Sequence, residues 1–294
     1  MSKEEVESRE FIRGAARLRD LVYLISRSKQ LVSEDIAHTS LIANYRGRWA
    51  KATNTAWNST AIAVARLPEE KAILVGEEGD VVTYVGGTTR EETISPEPVQ
   101  VRNAREIAGY VYACGMKRQA YWRAGENQWL DISAPSSAGP GARGFEAIDG
   151  FAQDEVYAVG WSGEIWQFDG DKWHERTSPT NVILTAVCCA GDGHVYAAGQ
   201  GGVLLAGRND GWAVVELGED VTADFWDLCW YQDRLYVATM TALYILDQDV
   251  LVPVDFGGIM PGTFYSLSTA EGALWSVGLH DVITFDGSQW KTFT

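Results

Sequence analysis

The sequence predicts an all-β fold, a seven-bladed β-propeller of four-stranded blades, and three observations predict it. The phrase VYAVGWSGEIWQFDGDKW at 156–173 returns as LWSVGLHDVITFDGSQW at 274–290. Its anchor residue recurs at Ile73, Tyr112, Tyr157, Tyr196, Tyr236 and Trp275, with spacings of 39, 45, 39, 40 and 39 residues. Upstream of every anchor lies another short apolar run, so each unit reads as four strands parted by turn residues. A period near 40 with four strands per unit is the arithmetic of a propeller blade. The physics agrees: a lone four-stranded sheet cannot bury both faces, whereas sheets stacked around an axis cover one another and leave only short edges.

The elements follow in chain order. LIANYRGRWAKAT, 41–53, matches IWQFDGDKWHERT, 165–177, and so supplies the last two strands of a first blade. LVYLIS, 21–26, is that blade's second strand, a longer insertion precedes the third, and residues 10–17 supply the first. A helical signal competes here. Ser2 and Glu5 are spaced as a capping box, and Phe11, Ala15, Leu18 and Val22 fall three or four apart. Residues 1–20 therefore read as an N-terminal helix or an irregular first strand, and six blades plus a helical arm is the second reading. The six later blades open on TAIAVAR, REIAG, GFEAIDGFA, LTAVCCAG, FWDLCWY and FYSLSTA. Asp169-Gly170, Asp210-Gly211 and Asp286-Gly287 provide the positive-φ residues of the last hairpin. Trp129, Trp173, Trp212 and Trp290 open fourth strands as filler between blades. The whole chain, 1–294, is expected to be one propeller domain.

With its motif near [LV]-[YW]-[AS]-x-G…D-G-x-x-W, the chain resembles the bacterial seven-bladed propellers of the WD40-like or YVTN-like group. That resemblance implies the fold and carries over no functional residue. The Gly-His and Trp-Asp pairs of eukaryotic WD40 blades, the sialidase S-x-D-x-G-x-x-W box and the kelch glycine pairs are absent. Propellers host hydrolases, lyases, lectins and scaffolds alike.

Catalytic signatures are missing as well: no G-x-S-x-G, Walker loop, HExxH or dinucleotide fingerprint occurs. The four histidines, His38, His174, His194 and His280, stand at no metal-ligand spacing, and Cys114, Cys188, Cys189 and Cys229 form no CxxC. No cofactor and no metal is expected, and the cysteines read as buried free thiols. In Cys188-Cys189 alternation sends the two side chains to opposite sheet faces. The opening MSKEEVESRE lacks the apolar core of a secretory signal, and no run approaches a membrane span. A cytoplasmic location and no membrane partner are expected.

Charge carries the functional signal. Residues 1–144 hold 19 Lys+Arg against 18 Asp+Glu, whereas 145–294 hold 5 against 22, a net of −17. Nucleic acid is excluded as the partner, because phosphates call for Lys/Arg clusters. A basic protein is favoured. The loop between second and third strands and the linker between blades share one end of a propeller, so that end can be assembled from sequence. It collects Glu77, Glu78 and Asp80; Lys117 and Arg118; Trp161 and Glu164; Glu219, Asp220, Asp224, Phe225 and Trp226; Tyr265; and His280 and Asp281. Acids mixed with aromatics on a rigid scaffold suit a cationic protein, the aromatics anchoring and the charges steering. The expected function is a non-enzymatic protein-binding propeller, in its sharpest form an immunity-type inhibitor of a basic, nuclease-like toxin. The alternative is a carbohydrate-binding or glycan-cleaving propeller using carboxylates in the central funnel.

Overall fold

The computed structural model describes residues 1–94, 99–135, 143–218 and 221–294. Its strands form seven separate four-stranded antiparallel sheets, each in simple chain order. The blades span 9–55, 59–93, 101–131, 145–176, 184–214, 227–253 and 266–292. Their innermost strands are Arg9–Leu18, Ser59–Ala65, Val101–Ile107, Phe145–Ala152, Leu184–Cys189, Asp227–Tyr231 and Ser266–Ala270. The seven-blade expectation holds, and the six-blade reading does not.

No single core exists. Seven hydrophobic clusters occupy the seven clefts between neighbouring blades. This explains the repeated phrase. The anchor residue of the second strand always enters the cleft ahead: Tyr23 lies between blades 1 and 2, Tyr157 between 4 and 5, Trp275 between 7 and 1. The tryptophan of the fourth strand enters the cleft behind, as Trp129, Trp173, Trp212 and Trp290 all do. Tyr157 and Trp212 meet edge to face at 6.1 Å between blades 4 and 5. Alternation does the rest, since Cys188 packs toward blade 6 and its neighbour Cys189 toward blade 4. All four cysteines are free.

The N-terminus keeps the capping box and the first-strand reading, whereas Phe11, Ala15, Leu18 and Val22, spaced as on a helix, lie in the strands Arg9–Leu18 and Leu21–Ser28. Lys3–Glu7 form a short helix, α1, with Ser2 Oγ accepting from Glu5 N and the Glu5 carboxylate accepting from Ser2 N. Strand Arg9–Leu18 follows at once. Blades 1 and 7 meet as two complete sheets with no shared strand. Phe11 N donates to Leu279 O, Ala16 N to Ser268 Oγ at 3.0 Å, and the Met1 ammonium to Trp49 O. Buried Val6 of α1 enters the same cleft. Similar ties join other inner strands, where Asp149 accepts from Cys189 N and Asp227 from Leu267 N. Between blades 2 and 3, buried Arg123 and Glu92 pair through two hydrogen bonds of 2.9 and 2.6 Å. Removing one partner of such a pair costs roughly 3–5 kcal/mol.

One turn expectation needs correction. Gly170 and Gly287 do take positive φ, both 94°. In blade 5 the left-handed residue is instead Asn209, φ 55°, and Gly211 is not in that region. Asn tolerates this conformation because its short amide can bond locally.

Candidate partner-binding surface

The end of the propeller that carries second-to-third loops and interblade linkers gathers the sequence-selected residues in three groups. On blade 2, exposed Glu78 and half-buried Glu77 and Asp80 line a groove of about 230 Å³ with Trp57 and Asn58. The Glu77 carboxylate accepts from Gln100 Nε2 at 2.6 Å. On blade 4, half-buried Trp161 donates to Glu146 Oε1 at 2.6 Å. Glu164 is buried and is no free surface acid. Arg118 grips it at 2.8 and 2.6 Å and Arg143 at 2.7 Å, so it ties blade 4 to blade 3. Burial alone would raise its pKa, but the hydrogen bonds and charges of the two arginines outweigh that and hold the carboxyl below the usual range.

The third group spans blades 5 to 7. Trp226 and Tyr265 sit 39 residues apart, each just before an inner strand, with their rings edge to face at 6.0 Å. Trp226 is 39% exposed. Phe225, expected beside it at the surface, is fully buried in the cleft between blades 5 and 6. A strand start admits one inward and one outward side chain in turn, and Phe225 takes the inward place. Asp224 is exposed and accepts from Gly201 N at 2.8 Å. The Asp281 carboxylate accepts from Gly262 N, Thr263 N and Thr263 Oγ1, which fastens the 254–265 linker to blade 7. His280 is exposed beside it. Glu219 and Asp220 lie outside the described residues.

Sequence reasoning missed Met240 and Met260 at this end, 46% and 93% exposed. Met240 O accepts from Phe264 N, which sets it close to Tyr265. The available signal was position: both fall in loops already assigned to this end. Exposed Trp226, Met240 and Met260 thus share this end with the exposed acids Glu78, Asp224 and Asp255. The opposite end, built of hairpin turns, carries the exposed acids Asp169, Asp171, Asp192, Asp233, Asp247 and Asp249. Among the described residues, no three His, Cys, Asp or Glu side chains converge as metal ligands, and no helix is long and apolar enough to cross a membrane.

No family model matches the chain. It is 44% identical to the immune protein Tsi7 of Pseudomonas aeruginosa over 292 residues, covering 95% of each chain. Among solved structures it is similar to the WD40 β-propeller domain of Doa1, with a TM-score of 0.71 and 11% identity over 95% of this chain and 92% of that one. YCF48 bound to D1 peptide gives a TM-score of 0.69 at 13% identity, covering 93% and 90% of the two chains. Sqt1 of Saccharomyces cerevisiae gives 0.66 at 10% identity, covering 97% and 84%. These three likenesses concern the fold alone.

Proposed function

The chain belongs to the family of the immune protein Tsi7, and from that premise we propose that it neutralises a toxin by binding it, without turnover, in the cytoplasm of the cell that makes it. The 44% identity over 95% of both chains is the observation that carries this reading. The partner is a basic protein of nuclease-like character. A nuclease needs Lys and Arg to hold phosphates, and a half-molecule of net −17 complements such a surface.

The contact is assigned to the linker end at blades 5 to 7. Trp226 and Tyr265 are the anchors, Met240 and Met260 the surrounding apolar surface, and Asp224, His280 and Asp281 the polar rim; Glu219 and Asp220 are proposed to add charge to the contact. Exposed aromatics ringed by polar groups are where binding energy concentrates. Glu77, Glu78 and Asp80 on blade 2 and Trp161 on blade 4 extend the rim of the same end. Glu164 supports it from beneath.

The test is a pull-down from native cytoplasm at low and then high salt, with bound proteins identified by mass spectrometry. The double variant Trp226→Ala/Tyr265→Ala runs beside the wild type. A single basic protein retained by wild type and lost by the variant is the expected result. Retention of a toxin by both would move the contact elsewhere, and capture of nothing specific would reject the inhibitor reading.

A further inference from the structure

The inner strands of blades 1, 2, 3, 6 and 7 enclose an axial cavity of about 190 Å³. Two guanidinium groups border it, Arg13 from blade 1 and Arg105 from blade 3. Arg13 makes no side-chain hydrogen bond or ion pair with any other described residue. Among the described residues, the one ion pair of Arg105 within 4 Å is with Asp227, at 3.9 Å, and the charge of Asp149 also acts on it. Both oxygens of the Asp227 carboxylate are already engaged, accepting from Leu228 N at 2.9 Å and Leu267 N at 2.7 Å.

Acceptors near the axis are partly committed, one oxygen of each carboxylate being used. Asp149 accepts from Cys189 N, Glu146 from Arg102 and Trp161, and Glu106 from Gly109 N. Arg66, the third cation on the cavity wall, is satisfied by Glu70 and by Arg17 O. Hydroxyl donors border the cavity as well. Ser266 Oγ and Ser268 Oγ each accept one backbone N–H from blade 1, at 3.4 and 3.0 Å, which leaves both hydroxyl protons to give. Both guanidiniums are half-buried with nearby carboxylate charges but few direct hydrogen bonds, and an oxyanion would give them short, charge-assisted ones.

We propose that the axial cavity binds a small oxyanion, held between Arg13 and Arg105 and hydrogen-bonded by the hydroxyls of Ser266 and Ser268. The space equals that of about six water molecules, ample for phosphate or a short carboxylate and too small for a nucleotide. Such a ligand touches blades 1, 3 and 7 together, so it also pins the ring beside the joint where blades 1 and 7 share no strand. The site stands apart from toxin binding, and its test needs no toxin.

That test is titration calorimetry and thermal unfolding with inorganic phosphate, then malonate, at constant ionic strength. The expected result is one-to-one heat with at least one of them and a Tm that climbs with its concentration. Phosphate alone would identify a tetrahedral ligand, malonate alone a carboxylate. Arg13→Gln should bind about ten- to a hundredfold more weakly. Its ligand-free Tm should lie close to the wild type's, because the Arg13 side chain hydrogen-bonds no other described residue. Should that variant not fold, Ser268→Ala must weaken binding severalfold instead. Absence of heat and of any Tm shift with both anions overturns the site, as does wild-type affinity in the variant measured.

Discussion

Glu164 shows how a single residue changes meaning between sequence and structure. In the chain it is one more acid in a loop; in the fold its side chain is 3% exposed and locked between Arg118 and Arg143. Those partners come from 46 and 21 residues away, so no local pattern announces them. Its folded pKa is depressed. A depressed carboxyl stabilises the fold above its unfolded pKa and loses that contribution as pH falls through the folded value. Glu164→Gln should therefore cost roughly 3–5 kcal/mol at pH 7, since it leaves Arg118 buried without its charge partner. The difference between wild type and variant should narrow below about pH 4.3, where the unfolded carboxyl begins to bind a proton. Urea unfolding of both proteins at pH 7 and pH 3.5 measures it. A cost that does not change with pH would show that packing, not the charge pair, holds blade 3 to blade 4.

At the scale of the element, the second-to-third loops of blades 4 and 5 repeat one device. Gly163 and Gly202 both take positive φ, 71° and 75°. A Cβ on Gly163 would lie 2.2 Å from Thr180 O, and one on Gly202 would lie 1.7 Å from Val221 O. Each glycine lets its loop press against the linker that leaves the same blade. The linker beyond Val221 carries Asp224 and Trp226. Gly202→Ala should cost about 1–3 kcal/mol, lower Tm by a few degrees and weaken toxin binding. Gly163→Ala should cost as much stability and weaken affinity less, since its loop carries only the outer rim residue Trp161. Equal affinity losses in the two variants would separate the contact from the blade 5 linker. The blades themselves were legible because one residue type recurs where one cleft demands it, and the shared end of loops and linkers follows from strand order alone. What stayed hidden depended on single-residue phase or on distant partners. Phe225 and Trp226 differ by one position, and that step decides core against surface. Asn209 rather than Gly211 makes the blade 5 turn for the same reason.

Across the whole molecule, a group of exposed acids at the hairpin end and the exposed Trp226, Met240 and Met260 at the linker end should govern different halves of a binding reaction. The −17 of residues 145–294 sets a field that reaches about 8–10 Å at physiological salt, enough to draw in a basic partner before contact. Exposed acids such as Asp247 and Asp249 lie at the hairpin end, away from Trp226. With the contact proposed at Trp226, they speed encounter without touching the bound partner. Association with the cognate toxin should therefore slow by about tenfold or more between low and high salt, while dissociation barely changes. Asp247→Lys/Asp249→Lys should reduce the association rate and flatten its salt dependence. Trp226→Ala should do the reverse, raising the dissociation rate by about thirtyfold, the effect of losing a 2 kcal/mol anchor, with the salt slope intact. Surface-based kinetics over a salt series separates these effects. A salt-independent association rate would reduce the acidic half to a solubility device. An unchanged dissociation rate in the Trp226 variant would place the anchor on another part of the ring.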